Sequence, residues 1–238
     1  MKVIICGANG AMGKLLQERL PGEIAGLVSI DGENGVPKSF AELGKVDADV
    51  IIDFSHHSAL PEILAYAREN GCGVVICTTG HTPEEKEQLF NAKDVPVFYS
   101  GNMSLGIAVL CGLAKTAAAR FPQADIEIVE VHHNRKADAP SGTANMIFDA
   151  LTQVRPEATA HCGRAGEGRR QSGEIGISSL RMGNVVGIHE VHIATNSQTI
   201  TLKHEAHDRG MFADGAIDAA RFLLTKPAGL YSMEDLLG

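Results

Sequence analysis

The chain has 238 residues, of which 44% are hydrophobic and 21% charged, and its formal net charge is −8. This length predicts one large domain or two small ones with a sizeable aliphatic core. The acidic balance argues against nucleic acid or an anionic membrane as a partner, and no apolar run approaches the roughly 20 residues of a membrane helix.

The cysteines contain no C-x-x-C pair, and most of them lie in apolar runs. The five are Cys6, Cys72, Cys77, Cys111 and Cys162. We expect them to be reduced core residues, which favours a cytoplasmic protein. Nothing in the sequence marks one of them as an activated catalytic thiol.

The chain begins with a pattern of strand, glycine turn and helix. Residues 2–6 form an apolar strand, and Gly7, Gly10 and Gly13 follow it before hydrophobic residues at helical spacing. Gly7 permits a tight turn, Gly10 lets the backbone approach a pyrophosphate, and Gly13 lets the helix pack closely on the strand. A plain strand–helix turn has the same pattern, but its position at the very start of the chain favours dinucleotide binding.

A second strand, over residues 23–29, ends near Asp31. An acidic side chain at the end of this strand can accept hydrogen bonds from an adenosine ribose. Ser29 is the alternative if the register differs, and a simple surface turn would equally explain Asp31. The next loop has no arginine for a 2′-phosphate, so NADH can serve as cofactor, although Lys38 could serve NADPH.

Strands over residues 49–55, 74–77 and 95–99 then alternate with helices, one of which Thr82 can cap. This alternation predicts a parallel sheet in which ligands bind beyond the carboxyl ends of the strands. These ends are small or polar and outline one cofactor site. The candidates are Gly7, Ala8, Asn9, Gly10, Ala11, Met12, Asp31, Cys77, Thr78, Thr79, Ser100, Gly101, Asn102 and Met103.

The pattern changes in the second half of the chain. A long helix over residues 105–121 is expected to connect two domains, and a strand over 125–132 leads into a charged loop and a helix. The basic segment 155–173 is either disordered or a plain surface loop, or else a lid or a cofactor contact. Three further strands are predicted, over 176–182, 185–195 and 198–205, before an amphipathic helix from Ala213 to Leu224 that we expect to return to the first domain.

The predicted fold class is therefore α/β, with an N-terminal Rossmann-type parallel sheet and a smaller α+β domain that contains a mixed sheet. We expect residues 1–103 and 209–238 to form a dinucleotide-binding domain. Residues 104–208 would form a substrate-binding and oligomerisation domain.

The charged loop carries the residues best suited to chemistry. His132, His133 and Lys136 can move protons, and the N–H groups of residues 141–143 at a helix start can hold an anion. A solvated loop with a helix cap is the simpler alternative. No metal site is expected from the two histidines, because neighbours on a strand point to opposite faces. Arg181 and His189 could border this site or lie on the strand surface.

Six segments resemble one known family in chain order, namely residues 7–13, 78–80, 102–106, 130–133, 136–144 and 181–187. The family is 4-hydroxy-tetrahydrodipicolinate reductase (dihydrodipicolinate reductase) of bacterial lysine and diaminopimelate synthesis. The block from 130 to 144 is the most specific part. The resemblance implies that NADH or NADPH delivers a hydride to a cyclic dicarboxylate with an imine-type bond, giving tetrahydrodipicolinate.

The resemblance also implies residue roles. His132 would be the proton donor or acceptor at the reacting ring, and Lys136 a second proton donor. Substrate carboxylates would be held by His133, Ser141, Gly142 and Thr143. Family members are usually homotetramers built through the second-domain sheet. The family commonly has an arginine where this chain has Ala11, which removes one argument for NADPH preference.

Two other functions fit part of the pattern. Another small two-domain dehydrogenase, such as one acting on aspartate, would explain the glycine turn but not the block from Lys136 to Thr143. A non-enzymatic dinucleotide-sensing module would leave His132 and Lys136 without a role.

Overall fold

The computed structural model describes residues 1–238, which form two compact units. A six-stranded parallel sheet forms the centre of the first unit. This unit comprises Met1–Ser104 and Gly210–Gly238. The sheet order is β11-β5-β4-β3-β1-β2, with every neighbouring pair parallel. The strands are β1 (Val3–Cys6), β2 (Ile24–Val28), β3 (Val50–Asp53), β4 (Gly73–Ile76), β5 (Pro96–Tyr99) and β11 (Gly229–Tyr231).

Helices cover both faces of this sheet, which explains why β1, β3 and β4 are buried throughout and are apolar except for Asp53 at the end of β3. The helix that the sequence predicts to return, now α7, packs against β3, β4 and β5. The helices are α1 (Ala11–Arg19), α2 (Phe40–Leu43), α3 (Leu60–Asn70), α4 (Pro83–Asn91), α7 (Gly210–Leu223) and α8 (Met233–Leu237), with 3-10 turns at Glu33–Gly35 and His57–Ala59. The predicted cap of α4 is confirmed, since Thr82 and Glu85 form a capping box.

The second unit, Leu105–Arg209, contains a five-stranded mixed sheet of order β10-β9-β6-β8-β7. The pairs β6–β8 and β7–β8 are parallel, whereas β6–β9 and β9–β10 are antiparallel. The strands are β6 (Asp125–His132), β7 (Thr159–Cys162), β8 (Glu174–Arg181), β9 (Gly187–Ala194) and β10 (Thr199–Ala206), and the helices are α5 (Leu105–Arg120) and α6 (Gly142–Thr152).

One face of the mixed sheet carries the core of this unit. Its apolar side chains, among them Ile126, Ile128 and Val191, pack against Leu110 of α5 and Ile147 of α6. The other face carries no helix and leaves several apolar side chains partly exposed. Side chains therefore alternate along β6 between the helix-covered core and this open face.

Two sequence predictions need correction, and two short elements at the end of the chain are additions to them. The basic segment 155–173 is not wholly a loop, because β7 lies within it and Arg170 anchors it to Asp125 and Glu127. The short elements β11 and α8 at the end of the chain were not predicted. All five cysteines are free thiols, but Cys162 is exposed on β7 and is not a core residue. No helix has the length and hydrophobicity required to span a membrane.

Candidate active site

Strand β6 brings two titratable side chains to the same buried face. Because side chains alternate along a strand, Glu130 and His132 point in the same direction as the core residue Ile128. Glu130 is 0% exposed and His132 is 8% exposed. The strand ends at His132, so the imidazole lies where the buried face gives way to the charged loop.

Every contact of the Glu130 carboxylate is with a donor. Arg181 of β8 binds it through two parallel bonds, Nη2 to Oε1 at 2.8 Å and Nη1 to Oε2 at 2.9 Å. The backbone N–H of Ser141 donates to Oε1 at 3.2 Å, and Nδ1 of His132 contacts Oε2. Burial alone would raise the pKa of Glu130, but hydrogen bonds from Arg181, Ser179 and His132 outweigh burial and lower it to about 2. Glu130 is therefore a buried anion at neutral pH.

Ser141 and His189 complete the buried part of the site. Ser141 caps α6, with its Oγ accepting from the Ala144 N–H at 3.1 Å. Nε2 of His189 lies 3.3 Å from the same Oγ, and the rings of His132 and His189 are 5.1 Å apart. Burial, followed by the neighbouring His132, lowers the pKa of His189 to about 4, so His189 is neutral near pH 7. Of the two residues that could border the site, His189 contacts Ser141 and Arg181 contacts Glu130.

The remaining loop residues surround this site with positive charge. Nζ of Lys136 pairs with Asp138 Oδ1 at 2.8 Å, which lowers the pKa of Asp138. Burial lowers the pKa of His133, as do the positive charges of Arg135, Arg209 and Lys136. Arg209 is a cation that sequence reasoning did not single out. Gly142 and Thr143 form the first turn of α6, beside Ser141.

Arg135 and Asp138 had no predicted role, and the structure gives each a partner. Nη1 of Arg135 donates to Asn184 Oδ1 at 2.8 Å, which ties the charged loop to the turn between β8 and β9. Asp138 pairs with Lys136, and its carbonyl accepts from Arg181 Nη2 at 2.7 Å. Both residues therefore hold the shape of the loop.

In the first unit, the glycine turn has the predicted geometry. Gly7 has a φ of +83°, and a side chain there would overlap the Phe54 carbonyl oxygen. A Cβ on Gly13 would overlap the Gly7 carbonyl and lie 2.7 Å from Ala8 Cα. Gly10 precedes α1 without a side-chain cap, and the first turn of α1 has no acidic residue. The N–H groups of this turn therefore suit the pyrophosphate of a dinucleotide.

The structure of the loop after β2 makes Asp31, rather than Ser29, the side chain that is exposed to accept hydrogen bonds from a ribose. Ser29 is buried, whereas Asp31 is exposed and accepts from Asn9 Nδ2 at 2.5 Å and from the Glu33 N–H at 3.0 Å. The backbone bond from Glu33, and then the bond from Asn9, lower the pKa of Asp31. The glycine turn and the β2 loop are thus joined by a charged carboxylate.

The other predicted cofactor residues lie where β4 and β5 end. Thr78 is buried, and its Oγ1 accepts from the Ser55 N–H at 3.0 Å, whereas Thr79 is exposed. Cys77 is buried, which raises the pKa of its thiol, so it would offer only its backbone to a ligand. Residues 100–104 form a hydrogen-bonded turn in which Asn102 Oδ1 accepts from the Ser104 N–H at 2.9 Å. All the predicted cofactor residues follow carboxyl ends of strands in this sheet.

Two family models match nearly the whole chain. The model described as "Dihydrodipicolinate reductase, N-terminus" matches residues 1–103, and "Dihydrodipicolinate reductase, C-terminus" matches residues 106–237. The chain belongs to the dihydrodipicolinate reductase family. It is therefore an NAD(P)H-dependent oxidoreductase of lysine and diaminopimelate synthesis.

Curated relatives of the dihydrodipicolinate reductase family match at full length. A 4-hydroxy-tetrahydrodipicolinate reductase from Alkaliphilus metalliredigens is 42% identical over 243 residues, covering 100% of this chain and 99% of the relative. Another, from Caldanaerobacter subterraneus subsp. tengcongensis, is 45% identical over 248 residues, covering 100% and 98%.

Solved structures share the fold. A dipicolinate-bound dihydrodipicolinate reductase from Paenisporosarcina sp. TG-14 has a TM-score of 0.79 at 23% identity, covering 98% of this chain and 97% of that one. Aspartate dehydrogenase from Thermotoga maritima has a TM-score of 0.51 at 14% identity, covering 95% and 97%. Fold alone therefore does not separate these dehydrogenases. The family models include the charged loop and support dihydrodipicolinate reductase over the alternatives.

Proposed function

We propose that this protein reduces 4-hydroxy-tetrahydrodipicolinate to tetrahydrodipicolinate, with residues 130–143 as its substrate site. The observation that carries this proposal is the contact of Ser141, at the start of α6, with the same carboxylate that contacts His132. A proton donor and an anion-binding helix start are thereby fixed in one site. A substrate that is both a dianion and in need of a proton requires this combination.

The carboxylates of the substrate would be held by groups with positive character. The N–H groups of Gly142 and Thr143 belong to the first turn of α6, at the end of the helix whose dipole favours an anion. Lys136 and His133 add further donors, and the positive charges that lower the pKa of His133 would be offset by a dianion.

Protonation would be the task of His132, with Lys136 as a second donor. The bound NADH or NADPH supplies the hydride. Hydride addition to a conjugated imine leaves negative charge on the substrate, and a positioned acid must quench that charge. His132 is largely buried, so bulk water competes poorly with its imidazole for this role.

The dinucleotide would be held by the carboxyl edge of the parallel sheet in the first unit. Gly10 would let the backbone approach its pyrophosphate, Gly7 and Gly13 would shape the turn that holds it, and Asp31 would accept from its ribose. The remaining strand ends, at Cys77–Thr79 and Ser100–Met103, would border the rest of the molecule. The start of α1, which has no side-chain cap and no acidic residue in its first turn, is the observation that fits a dinucleotide.

Two wider properties belong to the same proposal. We propose a homotetramer that uses the open face of the mixed sheet, because apolar side chains remain partly exposed there. We also propose a cytoplasmic location, because all five cysteines are unpaired thiols and oxidising compartments favour disulfides.

One assay tests the reaction. The purified protein is mixed with the product of dihydrodipicolinate synthase and either NADH or NADPH, and the loss of reduced-nicotinamide absorbance is followed. We expect oxidation that depends on substrate, and the ratio of the two rates gives the cofactor preference. Failure to oxidise either cofactor would refute the proposal.

A further inference from the structure

We infer that Glu130 is a positioning residue that makes His132 a proton donor at Nε2 and sets the distance between that imidazole and the start of α6. This inference rests on the proposed function, since it concerns how the proposed acid is prepared. It assigns a role to a carboxylate that is too deeply buried to contact substrate, because Glu130 is 0% exposed.

The first argument is the form in which His132 is held. An ionised carboxylate only accepts hydrogen bonds, so Nδ1 of His132 must carry a hydrogen where it contacts Glu130 Oε2. Nε2 is then the nitrogen that exchanges a proton. It lies 3.2 Å from the position that a Cβ would take on Gly187, so the missing side chain leaves room beside it. This arrangement resembles the orienting carboxylate of a catalytic triad.

The second argument is the charge that faces His132. Glu130 on β6 is the carboxylate in direct contact with it, and Arg181, which lies opposite His132 on β8, pairs with the same carboxylate. His189 on β9 is neutral near pH 7, and the loop after β6 contributes His133 and the cation of Lys136, which Asp138 pairs. A protonated His132 therefore depends on Glu130 for its balancing charge.

The third argument is that Glu130 also contacts the start of α6, which we propose binds the carboxylates of the substrate. Oε1 of Glu130 accepts from the Ser141 N–H, and Arg181 bridges from Glu130 to the Asp138 carbonyl. Moving the carboxylate would therefore shift the acid and the start of α6 together. Arg181 holds the carboxylate in place with a bidentate clamp, which fixes its orientation as well as its charge.

The test compares the pH dependence of turnover in Glu130→Gln with that of the wild type. Glutamine keeps the shape but loses the charge, so a protonated His132 loses its support. We expect kcat to fall roughly 10- to 1,000-fold. This range lies between the loss on removing a group that orients a metal-ligating histidine and the loss on removing the carboxylate of a catalytic triad. Because the acid works only while protonated, the alkaline limb of the kcat profile should move to lower pH. The KM for NADH or NADPH should not change.

Two further variants separate positioning from a purely structural effect. Glu157→Gln is the control in the same unit, because Glu157 is an exposed carboxylate in the turn before β7; we expect wild-type turnover and pH profile. When Glu130→Gln is added to His132→Ala, kcat should fall by less than about threefold relative to His132→Ala alone. The reason is that substitutions of residues that act as a unit have non-additive effects.

Three results would overturn the inference. They are an unchanged kcat profile in Glu130→Gln, full additivity of the Glu130 and His132 variants, or ¹⁵N NMR of the wild-type protein showing that Nδ1 of His132 carries no hydrogen. The NMR measurement decides the matter even if Glu130→Gln does not fold. Failure of the proposed function is distinguishable, because it would appear as an inactive wild type or a fully active His132→Ala.

Discussion

Charge around the proposed substrate site differs between the buried face of β6 and the loop that follows it. On the buried face, Glu130 is an anion matched by the clamp of Arg181. In the loop, Lys136 pairs with the exposed Asp138, and Lys136, Arg135 and Arg209 together lower the pKa of His133. A dianionic ligand would add the charge that this loop lacks, while the buried Glu130 pair would stay unchanged.

The hydroxyl of Thr143 offers a direct test of carboxylate binding. Thr143→Val keeps the side-chain shape but removes the hydroxyl in the first turn of α6. A hydrogen bond to a charged group is worth about 1.5–3 kcal/mol, so affinity for pyridine-2,6-dicarboxylate should fall roughly 10- to 100-fold. Calorimetric titration with the dicarboxylate and with NADH measures both affinities.

The control for Thr143 lies on the same helix. Thr152→Val removes a hydroxyl in the last turn of α6, where it only donates to the Asp149 carbonyl at 2.7 Å, and should leave both affinities unchanged. Loss of NADH affinity in Thr143→Val, with normal dicarboxylate binding, would contradict the proposed location of the substrate site.

At the scale of elements, two glycines mark places where a helix lies close against the backbone of another segment. Gly13 of α1 lies against the glycine turn itself. Gly215 of α7 lies against Met103, and a Cβ there would overlap the Met103 carbonyl oxygen. The second contact joins the returning helix to the strand end that we propose borders the dinucleotide.

The variant Gly215→Ala measures how much this contact matters. The added methyl would lie 2.9 Å from the Met103 carbonyl carbon, so backbone must move. We expect a loss of about 1–3 kcal/mol in the free energy of unfolding, together with weaker binding of NADH.

Gly112→Ala is the matched control, because its Cβ would meet nothing within 4 Å inside α5. It should stabilise the protein by about 0.5–1 kcal/mol. If urea unfolding gave the same change in the free energy of unfolding for Gly215→Ala and Gly112→Ala, the close contact between α7 and Met103 would not be important for stability.

Local patterns in the sequence were sufficient to predict the elements that carry the site. They were not sufficient to predict elements and contacts that depend on residues far apart in the chain. The glycine turn and the alternation of strands and helices predicted the first sheet. Edge strand β7 is mostly exposed and β11 has three residues, so neither has a hydrophobic pattern of its own. Glu130 could not be distinguished from Glu127 in the sequence, because its partner Arg181 lies 51 residues away.

At the scale of the whole molecule, the open face of the mixed sheet is the surface that association would bury. Val131 of β6 pairs with Leu180 of β8 on one side and with Ile188 of β9 on the other. Leu180 is 44% exposed, so this row of apolar side chains crosses three strands without being covered within its own unit. Contiguous exposed apolar surface of this kind marks protein–protein contacts.

For the homotetramer that we propose, we expect light scattering to give four times the chain mass of 25.2 kDa for the wild-type protein in solution. Leu180→Asp places a charge in the middle of the apolar row, and burying it without a partner is costly, so the mass should fall to that of a dimer or monomer. Leu113→Asp is the control, since Leu113 is 52% exposed but lies on α5 rather than on the sheet; it should leave the mass unchanged. A monomeric wild type, or a tetramer that persists in Leu180→Asp, would show that this face is not the subunit interface.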